Sequence, residues 1–434
     1  MFDVAIIGLG PAGLEALKIA IKNNLKVIAF EKSFLGGTCL NQGCIPTKTI
    51  LHSSNLYQEF LNAEEFGISA KDINFNWNKI LDRKNQIVEK FNKALSLEFK
   101  KKAEIICASA NLIIENDEIL IEAEDNIYQA KNIIIATGSS PVELSCLEFD
   151  HQNILSSDDI LNLETLPKSI AIVGSGAIGL EIAQFLNSFN ADVTIVEKAP
   201  NLAPNLDIDL QKRIERILKT NKIKYFKDDF IKSFKNGIVE LNSSKQFEAE
   251  KILVAVGRKP NLPKISLAQS EIVANLQIND DCTCDFDNLY IIGDATKKTM
   301  LAHNASYQAK IVMNKILEKK ELSLKNCPAV VYLTPEIATV GLREQDIQNK
   351  DEYVIKKMLL GSLAKPWCEG AQDGLVKVII KENKIKGAHI VSKNASILIS
   401  IFNILIEKEI EVDEIEEMIF PHPCFSEVVP EVLR

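Results

Sequence analysis

Asp3 to Ile7 is a short apolar run that predicts a buried strand. Gly8-Leu9-Gly10-Pro11-Ala12-Gly13 follows it, and Leu14 to Asn23 continues with apolar positions at helical spacing. Lys26 to Phe30 is a second apolar strand, and it ends on Glu31. The whole pattern then recurs. Ser169 to Val173 reads as a strand, Gly174-Ser175-Gly176-Ala177-Ile178-Gly179 as the turn, and Ala191 to Val196 as a strand ending on Glu197. Twenty-three positions separate Gly8 from Glu31, and twenty-three separate Gly174 from Glu197. Thr47 to Leu61 reads as a further helix. The pattern predicts an α/β chain in which one supersecondary unit is used twice, in two related Rossmann-like domains.

A strand, a G-x-G-x-x-G turn and a helix in that order make a dinucleotide-binding unit. Gly8, Gly10 and Gly13, and again Gly174, Gly176 and Gly179, let backbone approach a pyrophosphate that rests on the helix N-terminus. Glu31 and Glu197 are the acids placed to bind ribose hydroxyls. A carboxylate at Glu197 accepts bonds from a 2′-hydroxyl and repels a 2′-phosphate, so NAD is expected over NADP.

Between the two units lies Gly36-Gly37-Thr38-Cys39-Leu40-Asn41-Gln42-Gly43-Cys44-Ile45-Pro46-Thr47-Lys48. Pro46 falls where a first helical turn tolerates proline, which places Cys44 at the N-terminus of the helix that follows. Free N–H groups and the dipole there favour a thiolate. A disulfide that opens to one nucleophilic thiol and one stabilised thiolate exchanges electron pairs. The plainer alternative is half of a metal site, but no second Cys/His cluster with zinc spacing completes four ligands. The dinucleotide bound next to this pair should exchange electrons with it, and is expected to be a flavin; the second should be a nicotinamide nucleotide.

On these motifs the chain resembles the flavin-dependent pyridine nucleotide-disulfide oxidoreductases, class I, from about Phe2 to Val429. Ile133 to Ser139 resembles the strand and turn closing the first flavin-binding half, which assigns Thr137 and Gly138 to FAD; the resemblance also assigns Gly37 and Thr38, beside the cysteines, to FAD. Ile252 to Asn261 resembles its counterpart in the NAD domain and assigns Gly257 to NAD. Leu289 to Asp294 resembles the second flavin motif, in which Asp294 would bond the ribityl chain, and Met300 to His303 resembles the segment that lays Ala302 against the flavin. Val330 to Gly341 resembles the opening of a C-terminal α+β dimerisation domain. Near the end, His422-Pro423-Cys424-Phe425-Ser426-Glu427 resembles the family's base motif: His422 would take a proton from a substrate thiol, oriented by Glu427. The resemblance also implies that Lys48 sits near the reactive flavin nitrogen and pairs with Glu181, and that the base comes from a partner subunit. Two positions depart from it: Cys424 stands where threonine is usual, and Phe420 where a second histidine is frequent.

The resemblance is greatest to the branch that oxidises dihydrolipoyl groups of 2-oxoacid dehydrogenase and glycine-cleavage complexes. It implies a homodimer, FAD and NAD as cofactors, and a lipoyl-bearing acyltransferase or glycine-cleavage carrier protein as partner. A substrate thiol would attack Cys39 and leave Cys44 as a thiolate against the flavin. The end Val432-Leu433-Arg434 carries no cysteine pair, unlike mercuric reductase and the larger thioredoxin reductases, and no lipoyl-domain-like extension is expected before Met1. Two alternatives stay open: an NADH-driven reductase of another small or protein disulfide, and a flavin-bound electron-input or scaffold subunit with an idle disulfide. Intact Cys39, Cys44, His422 and Glu427 speak against idleness.

At 434 residues the chain can bury several cores, and its formal net charge of −9 makes nucleic acid an unsuitable partner. Nine cysteines with no signal peptide before the first strand suggest a reducing cytoplasm. Ala395 to Ile406 is too short to span a bilayer and reads as a core or interface helix. Cys282 and Cys284 are expected on one side of a strand between Ile278 and Asp285, as packing and not metal ligands, and His52 as an ordinary helix residue. Four segments follow from motif order: a flavin domain at 1–147, a NAD domain at 148–268, a central flavin segment at 269–325 and a dimerisation domain at 326–434. Ser139 to Asp150 reads as a linker.

Overall fold

The apolar runs become parallel strands. In a computed structural model, which describes every residue except 100, 116–117, 268–269 and 273–275, the chain forms two units. The first comprises Met1–Ile50, Asn78–Val142 and Arg258–Leu324; the second comprises Leu51–Trp77, Glu143–Gly257 and Lys325–Arg434. The expected boundary at 268/269 lies outside the described residues.

In the first unit, Phe2–Ile7 lies between Val27–Phe30 and Asn126–Ile135, with Glu104–Ile106 and Leu289–Ile291 outside them, all parallel. Ala110–Glu115 and Glu118–Ala123 extend the sheet antiparallel from Asn126–Ile135. Alternate residues of each central strand enter two cores. Val4, Ile6, Ala29 and Ile134 face helices Pro11–Lys22 and Ala302–Ile316, through Leu17, Ala309 and Met313. Ala5, Ile7, Ile28, Phe30, Ile133 and Ile135 face the other way, against Leu112 and Ile121. A sheet covered on both faces explains why these strands are apolar throughout. Each fully buried isoleucine or leucine contributes about 1.5–3 kcal/mol.

In the second unit, Lys224–Phe226, Asp192–Val196, Ser169–Val173, Lys251–Val254 and Ile154–Leu155 form a second parallel sheet. A three-stranded antiparallel sheet, Ile231–Lys235, Ile238–Leu241 and Gln246–Glu248, packs with it around Val239 and Leu241. The chain's last quarter forms a five-stranded antiparallel sheet from Ala329–Val331, Glu336–Gly341, Lys384–Ser392, Leu375–Lys381 and Val354–Leu359. Helix Ala395–Glu407 covers it with Leu398, Ile399, Phe402 and Leu405 buried, while Ile397 and Ile404 stay exposed. No helix among the described residues is long and apolar enough to cross a membrane.

A charge cluster braces this unit. Asp207 caps helix Ile208–Thr220 by accepting the Asp209 N–H at 3.0 Å. Lys377, from the antiparallel sheet, reaches Asp207 Oδ1 at 2.7 Å, Glu344 Oε2 at 2.6 Å and Asp209 Oδ2 at 3.0 Å. The side chains of Lys377 and Asp207 are wholly buried.

Two expectations need correcting. Ser139–Pro141 is a strand, not part of a linker: it pairs antiparallel with Arg258–Pro260, and the chain leaves and re-enters the first unit on these two strands. Their prolines hid them, since proline fits only edge strands. There is also no strand from Ile278 to Asp285; only Thr283 forms a bridge, to Tyr290. Cys282 takes a left-handed φ of 66°, which ends the alternation. Cys282 therefore enters the core under the helices and Cys284 the opposite one, so they do not share a face.

Candidate functional site

The helix after the redox segment runs Cys44–Leu61, and the Gly43 carbonyl accepts both the Thr47 N–H, at 3.0 Å, and the Thr47 hydroxyl, at 2.7 Å. Cys44 is thus its first residue, where unpaired N–H groups and the dipole favour negative charge. A separate short helix, Gly37–Asn41, carries Thr38 and Cys39. The side chains of Cys39 and Cys44 are hydrogen-bonded, and this bond, then burial and the charge of Cys44, pushes the Cys39 thiol up strongly, against a smaller lowering by Lys48. Of the two, Cys39 therefore holds its proton the more tightly because of its neighbour. His52, further along the same helix, is exposed.

The segment is pressed against the first glycine turn. Gly37 has φ 55°, and a Cβ there would lie 2.7 Å from Gly10 Cα. Gly36, with φ 86°, would place a Cβ 2.4 Å from the Leu40 side chain. An amide clamp that sequence reading missed holds the loop: Asn41 Nδ2 donates to the Leu35 and Gly37 carbonyls at 3.0 and 2.9 Å, and Asn92 Nδ2 donates to Asn41 Oδ1 at 2.7 Å. Asn92 lies on helix Trp77–Phe99, fifty-one residues away, so no local signal points to it.

The two glycine turns superimpose residue by residue in their constraints. Gly8 has φ 97° and Gly174 φ 100°; added Cβ atoms would meet Ala136 O at 2.5 Å and Ala255 O at 2.6 Å. A Cβ on Gly13 would fall 1.9 Å from Gly8 O, and one on Gly179 2.2 Å from Gly174 O. The middle glycines differ from these. A Cβ on Gly10 meets only Gly37 Cα, at 3.9 Å, and one on Gly176 meets nothing within 4 Å. Both helices begin without a side-chain cap and without an acid in the first turn. A dinucleotide pyrophosphate fits both turns, which offer free space at the middle glycine, no side-chain cap and no acid in the first helical turn. Glu31 Oε2 accepts the Leu9 N–H at 2.8 Å, and Glu197 Oε2 the Ser175 N–H at 2.8 Å, so each acid is fastened to its own turn.

Further along the first unit, Ser139 Oγ donates to Asp294 Oδ2 at 2.6 Å and accepts from Arg258 Nε at 2.8 Å. Thr137 donates to the Asn261 carbonyl, and Gly138 has φ 71°. Gly293 N donates to Gln308 Oε1 at 2.6 Å, and Ala302 begins its helix. These pairings gather the expected flavin-motif residues Thr137, Gly138 and Asp294 around Ser139 and Asn261. In the second unit Gly257 has φ 124° with open space around it, and buried Glu181 accepts the Tyr332 N–H at 3.0 Å.

The C-terminal motif is also built in the second unit. His422 Nδ1 lies 2.7 Å from Glu427 Oε1, and Glu427 Oε2 accepts the Cys424 N–H at 2.8 Å. The Cys424 bond, then the His422 bond, holds the Glu427 carboxyl below its ordinary value. The imidazole is held by one nitrogen and its side chain is 72% exposed. The arrangement orients a base toward solvent. Cys424 caps the turn Phe425–Glu427, and bonds with Ser426 lower its thiol pKa. Phe420 packs partly against the C-terminal core.

Known proteins agree with this layout. Residues 2–309 match the family described as pyridine nucleotide-disulphide oxidoreductase, and residues 327–433 match its dimerisation domain. A dihydrolipoyl dehydrogenase of Mycoplasma pneumoniae is 31% identical, covering 100% of this chain and 98% of that protein. One from Bacillus subtilis is 31% identical, covering 99% and 97%. Among solved structures, LpdA from Mycobacterium tuberculosis matches with a TM-score of 0.90 at 22% identity, over 100% of this chain and 99% of that one. The HOCl-induced flavoprotein disulfide reductase RclA from Escherichia coli matches at 0.85 and 23%, over 99% of each; at these identities both show the fold alone. Both regions are matched in order and the relatives align end to end, so the chain belongs to the pyridine nucleotide-disulphide oxidoreductases.

Proposed function

We propose that the protein is an NAD-dependent dihydrolipoamide dehydrogenase, converting dihydrolipoamide and NAD+ to lipoamide and NADH. The observation that carries this reading is the Cys39–Cys44 pair, with Cys44 at a helix N-terminus, in a chain 31% identical over its full length to dihydrolipoyl dehydrogenases.

One thiol of the substrate gives its proton to His422 Nε2, while Glu427 holds the imidazole by Nδ1. The substrate thiolate attacks Cys39 Sγ, a mixed disulfide forms, and the Cys39–Cys44 bond breaks with Cys44 leaving as the thiolate. The second substrate thiol then displaces Cys39, its proton passing to the departing Cys39 sulfur as the cyclic disulfide leaves. FAD and NAD+, when bound, carry the electron pair onward as a hydride to the nicotinamide. Gly8, Gly10, Gly13, Glu31, Gly37, Thr38, Lys48, Thr137, Gly138, Asp294 and Ala302 are the proposed FAD residues. Gly174, Gly176, Gly179, Glu197 and Gly257 are those proposed for NAD. Lys48 and Glu181 are proposed to support the reaction from the flavin side.

The functional segments are proposed as 1–147, 148–268, 269–325 and 326–434. The dimerisation-domain match supports a homodimer, with His422 serving the disulfide of the partner copy. A lipoyl-bearing acyltransferase or glycine-cleavage carrier protein is the proposed partner, and the cytoplasm the proposed location.

The purified protein, yellow with FAD, tests this in the NADH-consuming direction with lipoamide, glutathione disulfide and coenzyme A disulfide. Lipoamide should lead in kcat/KM by at least about a hundredfold, close to 3 kcal/mol of transition-state preference. Equal or higher kcat/KM with either other disulfide would overturn the substrate assignment.

A further inference from the structure

The two turns bind their acids through equivalent backbone groups but draw a hydroxyl from opposite sides. In the first turn, Leu9 N donates to Glu31 Oε2 at 2.8 Å, while Ser33 N and Ser33 Oγ donate to Oε1 at 2.9 and 3.2 Å. In the second, Ala199 stands where Ser33 does, and donates only its N–H to Glu197 Oε1, at 2.8 Å. The hydroxyl comes from inside the turn, where Ser175 replaces Leu9: Ser175 Oγ donates to Glu197 Oε2 at 2.6 Å, beside its own N–H at 2.8 Å. Ser175 is wholly buried, and its oxygen also accepts the Ala203 N–H at 2.9 Å. With that bond made, its single proton is committed to the carboxylate.

One buried hydroxyl therefore joins three parts of the nucleotide end of the site: the glycine turn, the acid and the loop from Lys198 to Ala203. It loads Oε2 with two donors and leaves Oε1, with one backbone bond, able to accept more. We propose that Ser175 is the positioning residue for nucleotide choice, fixing the Glu197 carboxylate so that a ribose 2′-hydroxyl is accepted and a 2′-phosphate refused. This rests on the reading of Glu197 as the acid that meets the adenosine ribose.

The test uses the FAD-loaded enzyme as wild type, Ser175→Ala, Glu197→Gln and the double variant. Dissociation constants for NAD+ and NADP+ come from titration calorimetry, and KM and kcat from NADH and NADPH turnover. Ser175→Ala should weaken NAD+ about fivefold or more, the scale of a lost hydrogen bond to a charged group. NADP+ binding should not weaken and kcat with saturating NADH should hold. In the Glu197→Gln background the same substitution should change neither constant beyond twofold, because its effect passes through the carboxylate. An unchanged NAD+/NADP+ ratio in Ser175→Ala, with the ratio collapsed in Glu197→Gln, would overturn the role of Ser175 alone. A fivefold loss that persists in the double variant would do the same. An unchanged ratio in Glu197→Gln would instead overturn the reading of Glu197, and the proposal with it. If Ser175→Ala fails to retain FAD or fold, Ser175→Cys, close in volume and a weak donor, is held to the same two criteria.

Discussion

Gly176 and Gly179 lie three residues apart and fail for different reasons. Gly179 faces Gly174 O, which a Cβ would meet at 2.2 Å, whereas Gly176 faces open space. Gly179→Ala should destabilise the fold by about 3 kcal/mol, since backbone must move to admit the methyl group. Gly176→Ala should stay within about 1 kcal/mol of wild type in thermal unfolding, a cost typical of an N-cap change, yet weaken NAD+ at least about tenfold because its methyl group occupies the pyrophosphate space. Calorimetry of both variants checks the contrast; equal stability losses would sink it. At this scale Gly8, Gly13, Gly174 and Gly179 were readable because the backbone at each leaves no room for a side chain. The Asn41–Asn92 clamp was not, because a bond across fifty-one residues leaves no periodicity behind. Ser175 stands at an unspecified position of the G-x-G-x-x-G turn, which gives no hint that its hydroxyl has two partners.

Among elements, strand Leu375–Lys381 shows where pattern and structure part. Lysine in an otherwise apolar strand suggests a solvent-facing position, but the Lys377 side chain is buried among Asp207, Asp209 and Glu344. Lys377→Met should lower stability at pH 7 by about 3–5 kcal/mol, because buried Asp207 loses its lysine, while Asp209 and Glu344 keep Lys357. The sign with pH follows from Asp209, whose pKa is lowered from 3.8 to about 2 against the pull of burial, by Lys357 and then Lys377. Its contribution is present above the unfolded value and is lost as pH falls toward 2. The gap between wild type and variant should therefore be full above about pH 4 and close below it. Both tryptophans, Trp77 and Trp367, lie in the second unit, so their fluorescence during urea unfolding reports on it. A gap that widens on acidification would contradict this account. The parallel strands themselves were legible to within a residue or two: Asp3 to Ile7 proved to be Phe2–Ile7, and Ala191 to Val196 proved to be Asp192–Val196. Ser139–Pro141 and Arg258–Pro260 were not legible, being three residues long and ending in proline.

For the whole molecule, the decisive question is which chain supplies the base. Cys44→Ser and His422→Gln chains, each inactive alone, can be mixed under conditions that let subunits exchange. If the base acts on the partner's disulfide, each mixed dimer holds one site with both lesions and one with neither, and about half of its sites work. A random mixture of equal amounts should then recover roughly a quarter of wild-type activity. Activity at background despite demonstrated exchange would leave His422 serving its own chain. Residues 51–77 and 325–434 join 143–257 through packing that motif order does not encode. The strand pair at which residues 143–257 leave and return has a consequence for the length of that stretch. Its partners stand one strand spacing apart, about 5 Å, so the host sheet needs no re-threading to gain or lose what lies between. Ends held that close let the stretch between them be lengthened or shortened without moving the two strands that bound it. The stretch carries its own glycine turn, with Gly174 at φ 100° beside 97° for Gly8.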